Sequence, residues 1–248
     1  SMNARQPLAS TTPDRTEQSL GSIAVQLPGA TAVFRELKLD FCCNGHVSLR
    51  QAVQDKNLSL AEVVNQLNAL EHCEDLPDEL TATDLVDHII ARYHDVHRTQ
   101  LPELIRMAHR VETVHQNNPN VPAGLAKLLE SIRDDLLDHM VKEETILFPL
   151  FKSGGNPQIG QPIGMMRAEH ISHGEAMDHV NALTNDATPP AGACNTWRAL
   201  YLGIAQFNED LINHIHLENN VLFPAFETAI APATRSGCGG GGNGCGCH

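Results

Sequence analysis

Residues 139–151, HMVKEETILFPLF, recur in the same register as residues 214–226, HIHLENNVLFPAF. Both copies read H-x-x-x-E-x-x-x-L-F-P-x-F, so His139 and Glu143, and likewise His214 and Glu218, fall one turn apart on one face of a helix. An imidazole and a carboxylate so placed make one edge of a metal site. A shorter echo links HDVHR (94–98) with HISHG (170–174), each with two histidines at i, i+3. Facing helices of a bundle can converge such side chains on two metals. We take His94, His139, His170 and His214 as terminal ligands and Glu143 and Glu218 as bridges. Each metal then receives two imidazoles and two carboxylate oxygens, and an oxo or hydroxo bridge leaves about one octahedral position open to a diatomic molecule. Mixed imidazole and carboxylate ligation suits iron or manganese, whereas structural zinc more often takes cysteine, which is absent near these positions. Iron is the choice made here. Without a cation, Glu143 and Glu218 would be carboxylates facing a core beside the apolar LFP segments, which is costly. The order His-then-Glu differs from the Glu-x-x-His of ferritin-like sites and from the His-Glu-x-x-His of zinc proteases.

Outside the ligand set, Asp135 and Asp210 each precede a ligand histidine by four residues. Each is placed to accept a hydrogen bond from the histidine's second nitrogen, which would fix the tautomer; a solvated helix carboxylate is the equally weighted alternative. Most of the 14 histidines lie between His88 and His216. Of these, His88, His97, His109, His115, His173, His179 and His216 are not needed by the ligand count, and each is expected to be an ordinary surface or packed residue. His115 and Glu169 are the two expected to influence the site from outside it.

The elements that must position these residues are helical. Four long amphipathic stretches are expected from about Thr83 to Gln116, from near Pro122 to Lys152, from near Pro162 to before Asp186, and from about Asn195 to Ile230. Pro102 should kink the first and not end it, because the apolar pattern resumes at once. No strand signal appears, so the expected fold is all-α: an antiparallel four-helix bundle over residues 80–231, preceded by a small helical domain over 21–76. In that domain PGATAVFREL (28–37) starts a helix, a second begins at Ser48, and Ser59 with Glu62 forms a capping-box pattern for a third reaching about His72. Residues 1–20 are polar and expected to be a disordered lead, EDLPDEL (74–80) a linker, and the Gly/Cys-rich residues 232–248 a flexible tail.

A formal net charge of -13 argues against sequence-independent nucleic-acid binding and gives no help toward anionic membranes. No segment is long and apolar enough to be read as a membrane helix or a secretory signal, so a cytoplasmic location is expected. Seven cysteines, two adjacent and three in the tail, make a poor disulfide framework, and free thiols are expected. Cys42 and Cys43 lie near a helix terminus, where thiols can have lowered pKa and bind iron or react with nitric oxide; that they only pack is the alternative. Cys238, Cys245, Cys247 and His248 fit a metal ligand set and an incidental linker equally well.

LDFCCNG, DHIIARYHDVHRTQLPEL, VETVH, HMVKEETILFP, AEHISHGE and HIHLENNVLFP together resemble the di-iron proteins for repair of iron centres, over roughly residues 20–230. The resemblance implies a hemerythrin-like bundle, with iron held by His94, His139, Glu143, His170, His214 and Glu218, the two glutamates bridging. It implies an N-terminal domain carrying Cys42 and Cys43 as redox or iron-transfer thiols. It also implies restoration of iron-sulfur clusters damaged by nitric oxide or peroxide, damaged iron-sulfur proteins as partners, and a homodimer. Nitric oxide or oxygen would be the small ligand. Whether nitric oxide is reduced at the centre or iron is donated from it stays open. A hemerythrin-like protein that binds or senses oxygen or nitric oxide without catalysis is the alternative, as is a metal-free helical scaffold. The long Gly/Cys tail departs from the family pattern.

Overall fold

The computed structural model describes residues 14–72 and 81–227. The expected lead before residue 14, the linker, the end of the fourth bundle helix beyond residue 227 and the Gly/Cys tail lie outside the described residues.

Four short helices make the N-terminal unit: α1 (Leu20–Gln26), α2 (Ala30–Glu36), α3 (Leu49–Asp55) and α4 (Leu60–Asn68), the last continuing into a 3-10 turn at Ala69–His72. Serine hydroxyls start three of them, Ser19, Ser48 and Ser59 accepting from the amides of Ser22, Gln51 and Glu62. Each satisfies one of the orphan donors of a helix start. Helix α1 and residues 14–19 correct the reading of a lead that extends to residue 20. The Arg50 amide donates to Thr16 O at 2.9 Å and the Leu49 amide to Gln18 O at 2.9 Å, while Ser19 forms an isolated antiparallel bridge with Ser48. Backbone hydrogen bonds order this polar stretch, and composition does not report them.

Four long helical runs follow. Helix α5 comprises Ala82–Ile89, a π turn at Ile90–His94 and Asp95–Val114. Helix α6 comprises Leu125–Lys142, a π turn at Glu143–Leu147 and Phe148–Lys152. Helix α7 spans Gly160–Leu183, and α8 comprises Asn195–Leu217, a π turn at Glu218–Leu222 and Phe223–Glu227. Pro102 sits inside α5 without ending it. Among the described residues there is no strand, and no helix is long and apolar enough to cross a membrane. Helix α5 packs on α6 and α8, and α6 packs on α7. Among the described residues the fold is all-α, an antiparallel four-helix bundle preceded by a small helical unit.

The histidines and glutamates singled out above occur early in α5 and α7 but late in α6 and α8. Only an antiparallel bundle brings them to one level. That level is a polar layer between two apolar clusters. On one side, Leu101, Leu136, Met177 and Phe207 belong to a core continuous with the N-terminal unit; on the other, Ile89, Phe148, Ile163 and Phe223 form a smaller cluster. The N-terminal unit rests on α8 through paired contacts: Asn220 Nδ2 donates to Phe41 O at 2.7 Å and to His216 Nδ1 at 2.8 Å, and the Phe41 ring meets His216 edge-on at 5.1 Å.

His216 is 6% exposed, and burial pushes its imidazole down to about 4. It is therefore neutral at pH 7, as its acceptor role toward Asn220 requires. Unfolding returns it to an ordinary value near 6.5, so acid favours the unfolded chain. Its share of stability is full above about pH 6.5 and falls away as pH drops toward about 4, a change of about 3 kcal/mol. Urea denaturation at pH 7 and pH 4.5 should show a smaller acid loss in His216→Gln than in the parent chain.

Candidate metal centre

Three of the four helices change register at the centre. Each π turn closes with a bond reaching five residues back: the Asp95 amide to Ile90 O, the Phe148 amide to Glu143 O and the Phe223 amide to Glu218 O. Pro149 and Pro224 follow Phe148 and Phe223 directly. A proline offers no N–H to the carbonyl four residues back, and its ring crowds that oxygen. The wider π turn relieves the clash and sets Glu143 and Glu218 at the start of each bulge, a frequent placement for functional residues.

His94, His139, Glu143, His170, His214 and Glu218 are all 0% exposed. Their ligand atoms fall into two sets of mutual proximity: His94, His214, Glu143 and Glu218 in one, His139, His170, Glu143 and Glu218 in the other, each within 4.8 Å. Both glutamates belong to both sets. Within the first, the Nε2 atoms of His94 and His214 are 3.1 Å apart, and His214 Nε2 is 2.7 Å from Glu218 Oε1. Within the second, the Nε2 atoms of His139 and His170 are 3.2 Å apart, and His139 Nε2 is 2.8 Å from Glu143 Oε1. Despite these short distances, none of the four carboxylate oxygens has an aligned hydrogen-bond partner. Carboxylate oxygens that converge with ring nitrogens and have no aligned hydrogen bond of their own fit the donor set of a cation cage, and a buried carboxylate without a cation is costly. The residues therefore fit two hard-to-borderline metal ions such as iron.

The cluster's charges agree. Burial opposes ionisation of Glu218, but short contacts to Glu143 and His170 and the charges of His170 and His94 prevail, holding its carboxyl at about 2. Burial likewise opposes a proton on His139, yet the charge and contact of Glu143 raise it to about 9. His214 is driven well below the ordinary value by burial and by the neighbouring His94 and His97.

The outward Nδ1 atoms are held by groups that the repeat predicts only in part. His94 Nδ1 lies 3.2 Å from Glu144 Oε2, which also takes Arg98. His170 Nδ1 lies 2.7 Å from Asn219 Oδ1, His214 Nδ1 lies 3.0 Å from His97 Nε2, and His139 Nδ1 lies 3.5 Å from Glu169 Oε2. Glu169 also binds Lys142. The ring of Phe148 stacks on His94 at 5.5 Å and that of Phe223 stacks on His170 at 5.8 Å. So each H-x-x-x-E-x-x-x-L-F copy supplies one histidine, one glutamate, and both the polar partner and the stacking ring of a histidine on another helix.

Several sequence expectations are corrected. Asp135 is exposed, and the carboxylate near His139 Nδ1 is Glu169. Asp210 is buried but does not touch His214: it accepts from Arg92 at 2.9 Å, Gln100 at 2.8 Å and Gln206 at 3.1 Å. Its link to the centre runs through Gln100, whose Oε1 lies 3.3 Å from His97 Nδ1. A ligand histidine turns its second nitrogen toward a neighbouring helix and not down its own, which the i−4 rule cannot anticipate. His115 ends α5 about 27 Å along the axis from His97 at ~1.5 Å per residue; there its Nε2 lies 3.2 Å from Cys194 Sγ. Glu144, Asn219, His97 and His173 were the missed neighbours. The i, i+3 histidine echo already contained the signal for the last two, since the His173 ring meets His139 edge-on at 4.9 Å.

Cys42 and Cys43 sit in the turn between α2 and α3, their sulfurs 3.9 Å apart and both free. Cys42 is not a thiol of lowered pKa: contact with Cys43, burial and the nearby Asp40 raise it well above the usual value. The loop lies against the centre, Cys42 O accepting from Asn219 Nδ2 at 2.8 Å and Cys43 Sγ standing 3.7 Å from His170 O.

Residues 85–226 match the family model of the hemerythrin HHE cation binding domain, and residues 16–71 match ScdA_N, a domain of unknown function. The chain is 49% identical over 211 residues to the iron-sulfur cluster repair protein YtfE of Dickeya chrysanthemi, covering 84% of this chain and 96% of that one. It is also 49% identical over 214 residues to YtfE of Yersinia pseudotuberculosis, covering 85% and 97%. This chain belongs to the family of hemerythrin-like iron-sulfur cluster repair proteins. Both matched regions are present in one chain here, and the centre described above falls within the cation-binding match.

Because His139 holds a proton up to about 9 in the metal-free centre while Glu218 is already ionised, cation binding at pH 7 must expel that proton. Affinity for ferrous ion should therefore rise with pH, by up to about tenfold per unit for one proton expelled, and flatten near pH 9. Titration in weak buffer under anaerobic conditions should record acid released on each addition of iron.

Proposed function

We propose that the chain binds two iron ions, bridged by Glu143 and Glu218 and completed by an oxo or hydroxo group, and uses them to repair iron-sulfur proteins damaged by nitric oxide or peroxide in the cytoplasm. The observation behind this reading is the pair of four-residue sets that share both glutamates. His94 and His214 would hold one ion, His139 and His170 the other. Bound iron would supply coordination of nitric oxide and the redox change needed to reduce it. The chain's own residues do the rest. Glu144, Asn219 and His97 hold three of the imidazoles with Nε2 inward, as outer partners of metal-bound histidines do, and Glu169 lies 3.5 Å from the Nδ1 of the fourth, His139. Phe148 and Phe223 cover the centre on one side, keeping bulk water from the ions. A small unit bearing two thiols, packed against His170, favours repair over a free-standing oxygen sensor.

Anaerobic reconstitution should load two ferrous ions per chain and raise the melting temperature, by the equivalent of about 2.7 kcal/mol for each ion at a free iron concentration a hundredfold above its Kd. Glu143→Ala with Glu218→Ala should bind at most one ion and gain little. An iron content no higher than that of the double variant would overturn the reading. Reaction of the loaded chain with stoichiometric nitric oxide, and separately with a cluster-damaged dehydratase, separates its two forms. Nitrous oxide without enzyme recovery marks reduction; recovery with loss of bundle iron marks donation.

A further inference from the structure

The two metal positions are related by the internal repeat, and they differ in one respect. Glu144 follows Glu143 as Asn219 follows Glu218, and each backs a histidine from another helix. Glu144 is anchored by Arg98 of α5, within the bundle. Asn219 is anchored by the N-terminal unit. The Cys42 carbonyl can only accept, so the group 2.8 Å away must be the Asn219 amide nitrogen. That turns Oδ1 toward His170 Nδ1 at 2.7 Å, and Nδ1 must then carry the ring hydrogen. In the neutral ring Nε2 is then the nitrogen free to bind a metal, and it faces Glu218 Oε1 at 3.3 Å. A backbone carbonyl in the cysteine loop thus dictates the tautomer of one presumptive ligand.

We propose that Asn219 is a positioning residue that couples the Cys42–Cys43 loop to the metal position of His139 and His170, so that a group added to the thiols loosens that ion and not the one held by His94 and His214. This rests on the di-iron reading above.

The loop's seating carries the coupling. Asn220 Nδ2 holds Phe41 O at 2.7 Å, and the Gly21 amide donates to Gly45 O at 2.8 Å. A Cβ at Gly45 would meet Phe41 O and Asn220 Oδ1 at 2.7 Å each, so the loop is in close contact with α8 and has no slack toward it. Cys43 Sγ stands 3.7 Å from His170 O. A group added to that sulfur competes for the space between the loop and α7, and seating it there lifts the loop. Lifting breaks the Cys42 O to Asn219 bond. The amide then has no fixed face, and His170 loses the partner that keeps Nε2 free. A reagent reaches the thiols through a cleft of about 430 Å³ that Cys42 and Cys43 line together with His46 and Arg167.

The test loads the full chain with two ferrous ions under anaerobic conditions and follows their transfer to a ferrous chelator by absorbance, before and after alkylation with iodoacetamide. The double variant Cys42→Ser, Cys43→Ser, alkylated in parallel, accounts for the other cysteines. In the parent, alkylation is expected to speed release of one ion at least tenfold and leave the other unchanged; in the double variant it should change neither. Asn219→Asp accepts from His170 with either oxygen and needs no bond to Cys42 O to fix its face, so it should release both ions as slowly as the unalkylated parent and lose the response to alkylation. Alkylation that speeds both ions equally, or neither, overturns the coupling, and this arm needs no variant at Asn219. So does Asn219→Asp that keeps the parent's full response to alkylation. A parent chain that retains no iron at the outset instead sinks the di-iron reading beneath it, and iron content measured first tells the two failures apart.

Discussion

Two carboxylates with no exposure and no aligned hydrogen-bond partner cannot sit between apolar clusters on their own account. Glu143 and Glu218 occupy such a position, and compensation of their charge is the condition on which the bundle depends. Four imidazoles supply part of it, as the low carboxyl of Glu218 and the raised imidazole of His139 record. The two sets of ligand atoms that share these oxygens could hold cations that supply the remainder. The same condition explains the layering, with a polar tier closed above and below by leucine, isoleucine and phenylalanine.

The repeat builds this tier economically. A proline after L-F forces a wider turn in α6 and α8, and that turn begins at the glutamate itself. One turn further, the phenylalanine stacks on a histidine from the adjoining helix. A single thirteen-residue pattern therefore specifies a buried histidine, a buried glutamate, a register change and a covering ring. Where the copies diverge, at Glu144 and Asn219, the surroundings diverge too: one partner is an arginine of the bundle, the other a carbonyl of the N-terminal unit.

That divergence gives the small unit a structural connection to the centre. Its cysteine loop touches α7 through Cys43 and α8 through Cys42, and its core is continuous with that of the bundle. The two regions matched by separate family models thus meet at a ligand histidine and not at a neutral seam.

Periodicity and spacing in the chain alone determined the helical class, the four long runs, the tolerance of Pro102 and the inward convergence of six side chains, because each follows from residues a few positions apart on one helix. The serine caps at Ser48 and Ser59 are local in the same sense. Only tertiary structure decided what stands behind each ligand. Asp135 and Asp210 have the right spacing for His139 and His214, yet Glu169 and His97 take those places from other helices. The order of residues 14–19 came from backbone bonds to Thr16 and Gln18, and the raised Cys42 thiol came from burial beside Cys43 and Asp40. Hydrogen bonds between helices join residues distant in the chain, and no spacing rule along one helix contains them.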